Sequence, residues 1–131
     1  MTDIFQAIAD ALQAGLPADW NKICVYIELG DSYYEVTYYC FIDGMTEPIQ
    51  CYKLPELYNI TEEQIDSVAS GIAAILKEAR AKSDDKWSVA TYVLTLDGKF
   101  KIDYDYTDLS GGSYNYKKQW KSQYLNVEQR S

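Results

Sequence analysis

The chain predicts an α+β fold: a single antiparallel sheet of about five strands, with helices at the N-terminus, in the middle and at the C-terminus. Three observations carry this. Apolar residues recur at helical spacing near residues 3–15 and again beyond residue 61. Apolar and polar residues alternate with period two in the segments between and after these helices. Asp97-Gly98 separates two such alternating segments and is a strong hairpin signal. At 131 residues, with neither repeats nor a low-complexity linker, the expectation is one domain over residues 1–131.

The elements follow in order. Ile4, Phe5, Ile8, Ala11, Leu12 and Leu16 line one face of a first amphipathic helix over 3–15. Thr2 suits its N-cap, and Gly15 and Pro17 its end. "WNKICVYIEL" alternates Ile23, Val25, Ile27 and Leu29 against Cys24, Tyr26 and Glu28, a half-buried strand. Gly30-Asp31 marks a turn, and "SYYEVTYYCFI" makes a second strand. Neither face of that strand is purely polar, so its outer face is expected to be covered. "IQCYKL" reads as a short third strand near an edge.

"NITEEQIDSVASGIAAILKEARAK" carries the plainest helical signal. Thr61 with Gln64 three residues later is a capping box, and Glu62 and Glu63 suit the positive end of the dipole. Gly71 sits mid-helix, at a cost of about 1 kcal/mol relative to Ala. A close approach to the sheet would explain it. "WSVATYVLTL" and "KFKIDYDY" then flank Asp97-Gly98. A two-residue loop sets Thr95 opposite Phe100, Val93 opposite Ile102 and Thr91 opposite Tyr104. Phe100, Ile102, Tyr104 and Tyr106 then point to the core, and Lys99, Lys101, Asp103 and Asp105 point outward. "YNYKKQWKSQYL" reads as a short helix anchored by Trp120, Tyr124 and Leu125.

Composition narrows the chemistry. The formal charge is −8, which opposes direct contact with phosphate backbones and favours a cationic protein partner. No histidine is present, which excludes Ser-His-Asp and Cys-His schemes and histidine metal sites. Thirteen tyrosines suit a sheet or an interface, since one end of the ring can stay wet. Cys24, Cys40 and Cys51 fall in strand-like segments and are odd in number, as expected of reduced thiols in a cytoplasmic protein. The N-terminus lacks the basic region of a signal peptide, and no run approaches the roughly 18 apolar residues that span a membrane.

Asp103, Asp105 and Asp108 admit three readings. As a calcium loop counted from Asp103, the series fails, because Asp108 stands where Gly is needed and Tyr114 where Glu is needed. Paired carboxylates acting as acid and base need a cleft and separated pKa values, so a carboxylate metal-site enzyme is the weaker alternative. Apart from the aspartates, the tyrosine-rich sheet face leaves a small-ligand-binding domain as an alternative. The third is an acidic, tyrosine-edged docking surface, with no metal or cofactor. On it we place Asp103, Asp105 and Asp108, with Tyr92, Tyr33, Glu35 and Tyr39.

"GKFKIDYDYTDLS", followed by Trp120 and "QYL" at 123–125, resembles the signature of the YezG-like antitoxin family. "PADWNKICVYIEL", a following strand containing Tyr-Tyr, and "WSVATYVLTLDGKFKIDYDY" fall in the order of that family. After "DLS" the chain departs from the pattern, reading "GGSYNYKKQW" where an acidic, Arg-containing segment is usual. The resemblance implies a small bacterial immunity protein that neutralises a secreted toxin, often a nuclease, by stoichiometric binding. Toxic nucleases carry basic surfaces, so the acidic docking surface and the resemblance point the same way.

Overall fold

The computed structural model describes residues 4–30, 32–84, 86–109 and 111–125. Helix α1 (Ile4–Leu12) runs into a 3-10 turn (Gln13–Gly15). Strands β1 (Trp20–Leu29), β2 (Tyr34–Ile42) and β3 (Ile49–Gln50) follow, then a 3-10 turn (Cys51–Lys53) and the short helix α2 (Leu54–Leu57). Helix α3 (Glu62–Ala81), strands β4 (Val89–Thr95) and β5 (Phe100–Asp105), and helix α4 (Tyr114–Leu125) complete the described elements. The five strands form one antiparallel sheet in the order β3-β2-β1-β4-β5, and the fold is α+β as expected. The predicted N-cap Thr2 lies outside the described residues.

Helices cover both faces of the sheet. Ile23, Val25 and Ile27 of β1 point to the face covered by α1 and α3, where they meet Ile8, Leu12, Ile65 and Ile72. The alternate residues Cys24 and Tyr26 point the other way and pack with Trp120 and Leu125 of α4. Period two thus supplies two apolar faces from each central strand, which is why neither face of β2 reads as polar. On α4, Tyr116, Trp120 and Tyr124 recur every four residues and so share the face turned to the sheet.

Local signals set the helix boundaries. Thr61 Oγ1 accepts from the Gln64 amide at 3.1 Å, and Gln64 Oε1 accepts from the Thr61 amide at 2.8 Å, closing the predicted capping box. Gly71 does not face the sheet. A Cβ there would meet only the Ala11 side chain of α1, at 3.9 Å, so the expected close approach is a helix–helix contact with room for a methyl group. Cys51 also departs from expectation. The third strand stops at Gln50, and Cys51 opens the turn into α2.

The β4–β5 register is the largest correction. The Thr95 amide donates to the Lys99 carbonyl at 2.9 Å, and the Gly98 amide donates to the Thr95 carbonyl at 2.9 Å. The loop therefore spans Leu96, Asp97 and Gly98, with Gly98 at φ +87°, the left-handed residue such a three-residue loop requires. One added loop residue slides the pairing by one. Tyr92 opposes Ile102 and Thr91 opposes Asp103, in place of the predicted Val93–Ile102 and Thr91–Tyr104 pairs. Every β4 side chain thereby exchanges faces relative to the prediction.

Candidate functional site

The residues expected on one docking surface divide between core, cleft and rim. The slipped register carries Tyr92 into the main core, where it is 0% exposed. Its ring stacks on Phe100 at 6.3 Å, and its hydroxyl donates to the Phe5 carbonyl at 2.9 Å, tying β4 to α1. Tyr39 is buried beneath α4, with its ring 5.7 Å from that of Trp120. Tyr92 is enclosed on the α1 side of the sheet and Tyr39 lies under α4, so neither tyrosine offers a surface to a partner.

Asp103 and Asp105 leave β5 on the face opposite Ile102, as alternation predicts, but this face is not bare. Helix α4 lies across it. Asp105 is half-buried, and both of its oxygens are in use. Oδ1 accepts from the Thr107 amide at 2.9 Å and the Thr107 hydroxyl at 2.6 Å, and Oδ2 accepts from the Tyr116 hydroxyl at 2.9 Å. The Thr107 bond leads in holding the Asp105 carboxyl below the usual carboxylate range, and burial opposes it. Tyr116 responds in the opposite sense: burial, then the bond to Asp105, push its hydroxyl well above the usual tyrosine value. Asp103 is more open, accepting from the Tyr124 hydroxyl at 3.1 Å with Lys101 Nζ 3.6 Å away. Asp108 is exposed and, with Asp105, Leu109 and the α4 residues Asn115 and Gln119, lines a cleft of about 360 Å³.

Trp120 is the anchor of α4. Its ring packs edge-on to Tyr26 at 5.2 Å, and its indole N–H donates to Thr91 Oγ1 at 2.8 Å. The indole thus buries its area without leaving its one polar group unpaired. Lys117, one turn earlier, forms an ion pair with Glu35 at 2.5 Å. The lysine-bearing helix and the acidic sheet face beneath it are matched in charge, which the sequence pattern left unread.

Glu35 in turn stands opposite Glu28 in the β1–β2 pairing, a like-charge pair that is unfavourable unless both are compensated. Lys117 serves Glu35. Glu28 is buried and accepts from the Tyr26 hydroxyl at 2.6 Å and the Tyr33 hydroxyl at 2.5 Å. Tyr33 reaches it by laying its ring over Gly30, where an added Cβ would sit 1.9 Å from Tyr33 Cε1. The ring's outer edge stays open, and Tyr33 is 49% exposed. Tyr26 and Glu28 were missed as members of this site. Their alternation beside Cys24 reads equally as a solvated face, and only the covering helix makes them an internal network.

Among the described residues no group of three or more His, Cys, Asp or Glu side chains is placed to hold a metal ion. Cys24, Cys40 and Cys51 are free and buried, and burial pushes their thiols up to about 11, about 12 and about 11. No helix in the described residues is long and apolar enough to cross a membrane.

Comparison with known proteins gives this arrangement a family. The chain is 29% identical to immunity protein YezG of Bacillus spizizenii (strain ATCC 23059 / NRRL B-14472 / W23) over 119 residues, covering 88% of this chain and 74% of that protein. It is 26% identical to immunity protein YezG of Bacillus subtilis (strain 168) over 113 residues, covering 83% and 75%. It is 23% identical to the type VII secretion system protein EsaG of Staphylococcus aureus (strain NCTC 8325 / PS 47) over 112 residues, covering 82% and 69%. The model of the family described as immunity protein YezG-like matches residues 1–130. The chain belongs to the YezG-like immunity protein family.

Proposed function

We propose that this chain is an antitoxin that acts in the cytoplasm, binding one cognate toxin domain stoichiometrically and catalysing no reaction of its own. The match of the family model to residues 1–130 carries the reading. The charge of −8 supports a toxin with a basic surface, and a nuclease is the fitting class, because its phosphate-binding face is cationic. The likeness to EsaG, named as a type VII secretion system protein, supports a toxin delivered by secretion. Asp105 speaks against one catalytic role. With its carboxyl held below the usual range by the Thr107 bond, Asp105 is ionised at neutral pH and has no proton to donate as a general acid.

Co-expression with the toxin domain encoded in the adjacent reading frame tests the proposal. The expected result is cell survival together with a 1:1 complex on co-purification. Cell death at full expression of both chains, with no complex, refutes it.

A further inference from the structure

A concavity larger than the Asp103–Asp108 cleft lies elsewhere on the molecule. It is an open groove of about 670 Å³ between the start of β2 and the first turns of α3. Tyr34 and Tyr52 flank it, 44% and 46% exposed, and Glu35, Glu63 and Asp66 line it. Resting on the antitoxin reading above, we propose that this groove receives a lysine- or arginine-bearing segment of the toxin.

The argument is one of charge left without a counterpart. On the β5 face the carboxylates are served internally by Tyr116, Tyr124 and Lys101. In the groove, among the described residues, no lysine or arginine is part of the lining, and Glu63 and Asp66 have no ion-pair partner. Stabilisation of the helix dipole accounts for Glu63 in the first turn of α3. It does not account for Asp66, because that effect dies away within one turn. Nor does it account for two half-exposed tyrosines at the walls, residues that make strong anchors when a partner desolvates them. Burial first, and then the neighbouring Cys51 and Asp66, push the Tyr52 hydroxyl above its usual value. Glu35 already has Lys117, so a cationic segment entering here would neutralise Glu63 and Asp66 and cover both rings. Its arrival would also be steered by the long-range field of the acidic chain.

The test uses the full-length chain and a catalytically inactivated form of the toxin domain encoded beside it, with association rate and affinity measured at two salt concentrations. The variant Glu63→Lys/Asp66→Lys is compared with Glu78→Lys/Asp84→Lys, which changes net charge equally at exposed positions outside the groove. Circular dichroism melting confirms that both remain folded. The groove variant should lose at least about tenfold in affinity relative to the control variant, with most of the loss in association rate and a weaker salt dependence. Tyr34→Ala/Tyr52→Ala should instead speed dissociation by about tenfold or more. Equal losses in the two charge variants would reduce the effect to net charge and overturn the groove. Wild-type affinity in the groove variant would overturn it as well. No complex with the wild-type chain would sink the antitoxin reading itself, and the groove proposal with it.

Discussion

Replacing Tyr92 by alanine tests the strand register and, with it, the placement of the whole β4 face. In the three-residue-loop register the ring is 0% exposed, stacked on Phe100 and opposed to Ile102, and its hydroxyl bonds the Phe5 carbonyl. Truncating a buried aromatic ring to alanine costs about 3–5 kcal/mol, and up to about 1.5 of that can be traced to the lost ring pair. Removing the hydroxyl alone, as in Tyr92→Phe, should cost about 0.5–1.5 kcal/mol. Against a total stability of about 5–15 kcal/mol for a domain, the alanine variant should be visibly weakened and the phenylalanine variant only slightly. Urea denaturation followed by tryptophan fluorescence would read both as shifts in midpoint at constant slope. The folded fraction of either variant should still bind toxin with wild-type affinity, since Tyr92 offers no surface. An alanine variant of wild-type stability that loses toxin binding would restore the two-residue loop and refute this register.

Two further predictions concern stability. Gly71→Ala should stabilise the chain by about 0.5–1 kcal/mol, because it removes the helical cost of glycine and its methyl group fits against Ala11 at 3.9 Å; a lower melting temperature would show that the α1–α3 gap is closed. Stability should also fall in alkali. The Cys24 and Cys40 thiols, ordinarily near 9.0, are raised by burial to about 11 and about 12 in the folded chain. Their contribution is complete below pH 9 and is lost as pH rises through those folded values, at up to about 1.4 kcal/mol per pH unit for each thiol. Burial raises the hydroxyls of Tyr26 and Tyr38 too, which adds to the loss in the same direction at higher pH. Denaturation midpoints that stay flat from pH 9 to 11 would contradict this.

The candidate site was partly legible in the chain. Asp103 and Asp105 stand on the face opposite Ile102 because alternation within one strand depends on that strand alone. Tyr92 was misplaced because its face depends on pairing with another strand, and pairing turns on loop length. Asp97-Gly98 fits both a two-residue loop and the last two positions of a three-residue loop. Tyr39 and Asp105 were read as outward-facing, and in their own strands they are; what they face is α4. A helix twelve residues long with a weak amphipathic pattern gives little sign of where it docks. Its place is set by Trp120 on Thr91, Tyr116 on Asp105 and Lys117 on Glu35, which tie the helix to β4, β5 and β2 at once.

Short-range chemistry was therefore enough to define the main elements of this protein, though not the end of β3 at Gln50 or the short helix α2. The Thr61–Gln64 capping box, the period-two strands and the mixed faces of β2 all follow from neighbours a few positions apart, and they imply an α+β sheet covered on both sides. Tertiary structure decided which acidic residues remain available. The carboxylates of β5 are consumed by hydroxyls arriving from α4, while Glu63 and Asp66 on α3 meet Tyr34 and Tyr52 across a groove that no single segment foreshadows. The physical reason is reach. A hydrogen bond or ion pair acts over a few ångströms of space regardless of separation along the chain, and here those distances are set by how α3 and α4 settle on opposite faces of one sheet.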